Sequence, residues 1–466
     1  MAERIPAVLG IDLGTSEAKV AAFALDGRLV GLGRSAYTMD TGPGGRAEQD
    51  PRDWWAAVSA AVRSIDLDGI DVRAICGTTQ GPTLVACDDE GTPVRPAITW
   101  QDRRAGDTGF GLLPRMAWLA REDSSAATRA VWLLPAWDAL GLWLTGEAAT
   151  ALQGHERPPA ADDLEAHGVR AGQVPPGRAV GSVLGGLRTG AAGALGLRSG
   201  TPVIAGVNDG AASMLGAGLR HPGDAVDTGG TSGGIAICTD RPVSVEGLFL
   251  APSALPGRWI VGGAMAALGA SLDWLRTAVL GDAWSLEALF AEAAAVPPGS
   301  DGLVFLPYLA GERAPIFDDT ARGAFAGLTL GHRRGHLFRA VLEGAAFATR
   351  HVAEPLAAAG APILELRLAG RPTPGDLWGR IKADVLGAPA AVPAIGETAV
   401  LGAAILAAAG IGAVPDLEAG VERMTAVARR IDPDPGLRAV YDEAFGRYLA
   451  LHPALRQAGI GGAARR

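Results

Sequence analysis

Three short segments of the chain carry residues suited to handling a phosphoryl group. The first, DLGTSEAK over residues 12–19, sets an acid before a glycine and two hydroxyls. Gly14 would let the backbone approach a phosphate, Thr15 and Ser16 offer hydroxyl and N–H donors, and Asp12 can hold Mg2+ directly or through its waters. The same residues also make an ordinary hairpin turn. The second, GGTSGG over residues 229–234, presents Gly230, Thr231 and Ser232 between two apolar stretches, where amides and hydroxyls could bind phosphate oxygens. A glycine-rich β-turn is its plain alternative. No GK[ST] follows, so it is not a Walker loop, and no GxGxxG with a distal acid follows the first strand, which excludes a dinucleotide fold. The third, GVNDGAASMLGAG over residues 206–218, places Asp209 after the apolar strand PVIAGV at the start of a small-residue helix. There it could act as a base, or serve only as a helix cap.

Phosphoryl transfer asks for in-line positioning, charge neutralisation by metal and donors, and a carboxylate to accept the acceptor hydroxyl's proton. Asp209, Asp12 with Mg2+ and the two loops can fill those roles. Arginine replaces lysine almost everywhere, leaving Lys19 and Lys382, and both fall beside the proposed loops. Lys19 could add positive charge at the phosphates or be a solvated strand residue. Most of the 11 tryptophans lie between residues 54 and 143 and are expected in the core. Trp100, in TWQDRR, has polar neighbours, Asp102 among them, that suggest a sugar contact. Gln80, in GTTQGPT, is a comparable candidate because the adjoining glycine-proline turn would expose its amide. His332 and His336 are four residues apart, but with Gly335 between them and no HExxH glutamate they are expected to start a helix rather than bind zinc.

The elements that must position these groups read as α/β. AVLGID, KVAAFAL and RLVGLGR predict three antiparallel strands, with Asp26-Gly27 as the tight turn between the last two. Near residue 224 the pattern returns as DAVDTG, the GGTSGG loop and IAICT, a weak internal repeat that predicts two similar lobes. Asp50-Pro51 supplies a cap and a first-turn proline for a helix running through Ile65. Leu268, Leu272, Leu275 and Val279 recur at helical spacing, as do Phe338, Val341, Leu342, Ala345 and Val352. Further on, ILELRLAG, LWGRIKADVLG, AAVPAI and TAVLGAAILAAAG predict strand, helix, strand, helix.

At 466 residues and about 150 per domain, the chain has room for two large units. A net charge of −9 without basic runs excludes a nucleic-acid partner. Cys76, Cys87 and Cys238 form no CxxC pair, so no disulfide framework is expected. The first residues lack the apolar core of a signal peptide and no stretch is long enough to span a bilayer, which predicts a cytoplasmic protein with no membrane partner. A homodimer is the commonest assembly for such enzymes.

Taken together these residues resemble the FGGY carbohydrate kinases, which include xylulokinases, gluconokinases and glycerol kinases. IDLGTSEAK resembles the family's first phosphate loop, EQDPRDWW its following helix start, and GVNDGAASMLGAG the segment with its catalytic aspartate. GLVFLPYLAGERAPIFDDTARGAFAGLTLGHRRGHLFRAVLEGAAF is similar to its C-terminal signature throughout. The resemblance implies an α/β fold of two actin-like (ribonuclease-H-like) domains flanking a catalytic cleft: residues 1–218 for sugar and the first phosphate loop, 219–458 for nucleotide, and 459–466 as a tail. It implies ATP and a small sugar as substrates, a ketopentose such as xylulose being the expected acceptor, with Asp209 as proton acceptor. By the same resemblance Thr231 contacts ATP phosphates, while Gly269 and Asp273, in ALGASLDWL, line the nucleotide site. The chain also departs from the pattern. Where the family has a GGGxxS loop near the adenine, this sequence has GRPTPGDLW, keeping only Gly370 at its start. The methionine-histidine pair of typical xylulokinases is replaced by Gly81-Pro82. A relative that binds sugar or nucleotide without turnover is the alternative reading.

Overall fold

The computed structural model describes residues 4–106, 111–154, 156–230, 232–281, 283–370 and 373–461. The chain forms two compact units. The first takes the chain through Gly218 together with Pro252–Pro256 and Glu397–Ala426, and the second takes Leu219–Ala251, Gly257–Gly396 and the chain from Val427 onward.

The first unit opens with β1 (Ile5–Leu13), β2 (Glu17–Ala24) and β3 (Leu29–Ala36), antiparallel as predicted. Gly27 makes the turn at a φ of 88°, and Asp26 Oδ1 accepts the Arg28 amide across it. β1 then pairs in parallel with β4 (Ile70–Thr79), which pairs in parallel with β6 (Pro202–Asn208); β5 (Val183–Gly186) closes that edge antiparallel to β6. The register sets Leu13 and Asn208 on either side of Thr79, so the carboxyl ends of three parallel strands share one edge of the sheet. Ligands of open α/β sheets bind at such edges. Outside the sheet, α1 (Pro51–Arg63) starts at Asp50, whose side chain accepts the Arg52 amide, and buries Trp54, Ala57, Val58, Ala61 and Val62.

The second unit repeats this plan. β7 (Asp224–Asp227) and β8 (Gly234–Thr239) are antiparallel, and β10 (Trp259–Ala264) joins β8 antiparallel, with β9 (Phe249–Pro252) beside it. β7 pairs in parallel with β11 (Glu365–Leu368), β11 in parallel with β12 (Ala390–Pro393), and β13 (Val427–Ile431) closes antiparallel to β12. The order and directions of β10-β8-β7-β11-β12 match those of β3-β2-β1-β4-β6 in the first unit, which is the duplicated actin-like plan, whereas the edges differ: β5 precedes its neighbour β6 in the chain, β13 follows β12, and β9 has no counterpart. The 25-residue helix Arg334–Ala358 crosses this unit's core. His332 and His336 sit at its start, where their Nδ1 atoms accept the Thr329 and Arg333 amides. Among the described residues no cluster of three His, Cys, Asp or Glu side chains is placed to hold a metal. One helical face differs from its prediction. Leu268, Leu272 and Leu275 are buried but Val279 is 50% exposed, because the helix widens into a π turn over Leu275–Val279 and rotates the last position outward.

The helix Thr398–Gly410 belongs with the first unit, although its place in the sequence puts it in the second domain. It is apolar on every side and buried on every side. Glycines at its contacts explain how close it lies. A Cβ on Gly402 would meet Ala212 O at 1.8 Å, one on Gly216 would meet Thr398 O at 1.9 Å, and one on Gly10 in β1 would meet Val400 O at 2.2 Å. Each obstacle is backbone, which cannot rotate away.

Gly402→Ala is therefore expected to cost about 1–3 kcal/mol through forced separation of the helices. Gly446→Ala, in the exposed face of the helix Arg438–Gln457 with nothing within 4 Å, should gain about 0.5–1 kcal/mol from helix propensity. Urea unfolding midpoints of the two variants check this, and equal shifts would remove the close-approach argument.

Candidate active site

The loop after β1 is tied down from behind. Gly14 N–H donates to Glu17 O at 3.1 Å, the Tyr37 hydroxyl donates to Gly14 O, Tyr37 N–H to Ser16 O at 3.0 Å, and Gln49 Nε2 to Thr15 O at 2.8 Å. Trp100 Nε1 donates to Thr15 Oγ1 at 3.1 Å. The loop carbonyls are thus occupied, whereas the Thr15 and Ser16 amides have no acceptor among the described residues. Exposed amides on a loop held rigid by its carbonyls make an anion-binding concavity.

Asp12 stands at the root of that loop, opposite Lys19 in the β1–β2 register and opposite Thr78 in the β1–β4 register. Its Oδ1 is buried with no hydrogen-bond partner among the described residues. Burial, then the nearby Asp209, push its carboxyl up to about 8, with Glu397 and Glu17 adding to the rise and Lys19 opposing it. An orphaned carboxylate oxygen in a field this negative fits a divalent cation such as Mg2+. Lys19 itself is held by Glu397, Nζ to Oε2 at 3.0 Å, with Glu17 at 3.6 Å; burial works against its charge, but Glu397 holds the ammonium above its usual range. Arg34 binds the same two carboxylates.

Asp209 begins the helix Asp209–Gly216 without capping it. The cap is Asn208, whose Oδ1 accepts the Ala211 amide at 2.9 Å. Asp209 is left half-buried, with Oδ1 accepting the Gly210 amide at 2.8 Å and Oδ2 meeting no side-chain donor among the described residues. Burial raises its carboxyl to about 6 against the Gly210 hydrogen bond. The chain reaches this point through a close approach of β6 to β4, where a Cβ on Gly206 would lie 1.7 Å from Gly77 O and Thr78 Oγ1 donates to Val207 O at 2.6 Å.

Two of the sugar candidates behave differently from expectation. Gln80 is 1% exposed rather than presented by the turn, because Gln49 covers it: Gln80 Nε2 donates to Gln49 Oε1 at 2.6 Å, and Oε1 of Gln80 is buried without a partner. Asp102 is held in an ion-pair network. It accepts the Ala47 amide at 2.9 Å and pairs with Arg104 at 2.6 Å, and Arg104 also binds Glu48. Burial works against its charge, but the Arg104 side chain and the amides of Ala47 and Arg104 hold it below the usual carboxylate range. Trp100 remains at the strand edge, half-buried on Thr15.

The second unit assembles the other loop. Gly229 lies against Gly370 so closely that a Cβ on Gly370 would meet Gly229 Cα at 2.4 Å, and Leu268 N–H donates to Ser232 O at 2.8 Å. Gly230, Ser232 and Gly370 are thereby gathered beside the helix Leu268–Trp274, which carries Gly269 and the half-buried Asp273. Thr231 lies outside the described residues, as does Pro372. Asp227 occupies the strand end equivalent to Asp12, but here the carboxylate is neutralised: Lys382 Nζ is 2.7 Å from Oδ2, the Gly229 amide is 2.8 Å from Oδ1, and the ammonium sits 4.2 Å over the Trp378 ring. Past Gly370 a cavity of about 560 Å³ is lined by Phe290, Ala291, Pro374, Leu377 and Arg380 among others. Sequence reasoning reached one side of this wall, since Pro374 and Leu377 lie in GRPTPGDLW, but it did not single out Phe290 and Ala291, which read as ordinary helix positions.

Residues 7–112 match the FGGY family of carbohydrate kinases, N-terminal domain, and residues 225–411 match its C-terminal domain. The chain is 29% identical to a xylulose kinase of Staphylococcus epidermidis, covering 97% of each, and 27% identical to a gluconokinase of Bacillus subtilis, covering 88% of this chain and 89% of the relative. The crystal structure of a xylulose kinase from Rhodospirillum rubrum matches with a TM-score of 0.85 at 30% identity, covering 97% of this chain and 99% of that one.

The contrast between Asp12 and Asp227 is open to test. Lys382→Met leaves a charge buried beside the second loop and should cost about 3–5 kcal/mol in urea unfolding, while Lys382→Met with Asp227→Asn should recover most of the loss. A single variant as stable as the parent would show that the pair does not hold the loop.

Proposed function

The chain belongs to the FGGY family of carbohydrate kinases and is a sugar kinase, and from that premise we propose that it phosphorylates a ketopentose such as xylulose, with ATP as donor and Asp209 as the proton acceptor. The observation that carries the proposal is the uncapped, half-buried Asp209 on the same sheet edge as the Thr15–Ser16 loop. In the proposed step the acceptor hydroxyl oxygen forms a bond to the γ-phosphorus of ATP, the bond from that phosphorus to the β–γ bridging oxygen breaks, and the hydroxyl proton passes to Asp209, leaving ADP.

The Thr15 and Ser16 amides, with Gly14 allowing close approach, would receive phosphate oxygens, and Lys19 would add positive charge. In the second unit Gly230, Thr231, Ser232, Gly269, Asp273 and Gly370 are the proposed nucleotide contacts, and the cavity walled by Phe290, Pro374 and Leu377 is the proposed seat of the base. Asp12 would hold Mg2+, which when bound neutralises charge on the phosphates. The xylulose kinase relatives, spanning nearly the whole chain, favour a ketopentose; the gluconokinase relative widens the set of sugars worth assaying.

Asp209→Asn should lower sugar-dependent ADP release by about 10²- to 10⁴-fold with an unchanged unfolding midpoint. An Asn variant of near-parental rate would remove Asp209 as the base. The base must be ionised, so with a carboxyl near 6, kcat/KM for the sugar should be flat above that pH and fall about tenfold per unit below it. A profile flat down to pH 5 would contradict the assignment.

A further inference from the structure

Gly81 leaves a gap in the sheet edge beside Asp209, and an aromatic ring fills it. A Cβ on Gly81 would lie 2.8 Å from Cζ3 and 3.6 Å from Cη2 of Trp137, and 3.4 Å from Cβ of Asn208, the residue before Asp209. Trp137 is the second residue of the helix Ala136–Thr145 and is half-buried. Its placement is fixed by buried Thr83, whose carbonyl accepts the Ala136 amide at 3.0 Å and whose Oγ1 accepts the Trp100 amide at 3.2 Å. Trp100 in turn holds Thr15 of the phosphate loop. A continuous circuit therefore runs from Thr15 through Trp100, Thr83, the Ala136 backbone, Trp137 and Gly81 to Asn208 and Asp209.

We infer that Trp137 is a specificity-determining residue of the acceptor site, its indole standing where a side chain at position 81 would project, so that the site takes neutral ketoses and polyols and rejects aldonates. The inference rests on the acceptor site lying at Asp209, as proposed above. Sugars present C–H faces to aromatic rings, and a tryptophan supplies a large apolar surface of fixed shape. Charge points the same way. The edge carries the carboxylates of Asp12 and Asp209, and the basic side chains tied to it are already paired: Lys19 with Glu397 and Glu17, Arg104 with Asp102 and Glu48, while buried Arg115 donates to the Trp100 and Thr99 carbonyls. Arg103 is exposed, beside Gly45. A carboxylate on the acceptor would meet the ionised Asp209 and, among the described side chains of this circuit, no free cation, which is discrimination by repulsion.

Calorimetric binding of D-xylulose, glycerol and D-gluconate to the full chain, alongside sugar-dependent ADP release, tests this with three variants. Trp137→Ala should raise the Kd for the neutral sugars about tenfold, the scale of one lost apolar contact in a pocket. Trp137→Phe should retain most of the affinity, and Gly81→Ala, which displaces the ring without altering it, should reproduce the loss. Gluconate should bind more weakly than either neutral sugar. Tighter binding of gluconate, or an unchanged Kd in both Trp137→Ala and Gly81→Ala with parental unfolding midpoints, overturns the inference. Ring-dependent binding of neutral sugars without ADP release would support it while sinking the proposed phosphotransfer to those sugars. Failure of every neutral sugar to bind would overturn both.

Discussion

The close approach of the helix Thr398–Gly410 to β1 and to the helix Asp209–Gly216 is the constraint on which the first unit's candidate site depends. Three glycines, Gly10, Gly216 and Gly402, remove the Cβ atoms that would hold the backbones apart. Burial of an all-apolar helix supplies the attraction, at about 1.5–3 kcal/mol for each large side chain such as Leu401, Ile405 or Leu406. Position follows from that packing. The helix is immediately preceded by Glu397, which reaches Lys19 and Arg34, the latter 363 residues earlier in the chain. The field felt by Asp12 is thus set partly by a segment that enters the unit from far along the sequence.

Duplication of the strand, acid and loop pattern shows how one scaffold separates two tasks. Asp12 and Asp227 end equivalent strands, and each precedes a loop of glycine, threonine and serine. Lys382 neutralises Asp227 with a buried ion pair and an aromatic ring beneath it, so that acid works as an anchor for Gly229. Asp12 has its nearest lysine drawn off by Glu397 and keeps an unpartnered oxygen. A buried polar atom left unsatisfied costs about 1–3 kcal/mol, a cost that the proposed cation at Asp12 would offset.

Much of this arrangement was legible in the residues. The Asp26-Gly27 turn, the Asp50-Pro51 helix start and the strand-helix alternation after Ile363 are local, and local chemistry decides them. Partnership is not local. The uniform hydrophobicity of Thr398–Gly410 announces burial but says nothing of which unit buries it. Asp102 looked available to a sugar because the Ala47 amide that it accepts, and the Glu48 that shares its partner Arg104, lie in a strand far away in sequence, and Gln80 looked exposed because the residue that covers it, Gln49, is far away in sequence. Trp137 gave no signal for a similar reason: only the missing side chain of Gly81 gives its position meaning.

A base that is buried faces opposing demands, since burial strengthens it once ionised but makes ionisation harder. The first unit meets them by treating its two acids unequally. Asp209 keeps one oxygen on a backbone amide, which limits its rise to about 6, while Asp12, buried and with Asp209 beside it, rises to about 8. Near neutral pH these shifts favour a proton on Asp12 and a charge on Asp209. The side chains that enforce the inequality are Lys19 and Glu397, because a lysine free to swing toward Asp12 would lower its carboxyl directly. By holding Lys19 in place, Glu397 preserves the difference between the two acids, and through it the division between the proposed cation site at Asp12 and the proposed base at Asp209.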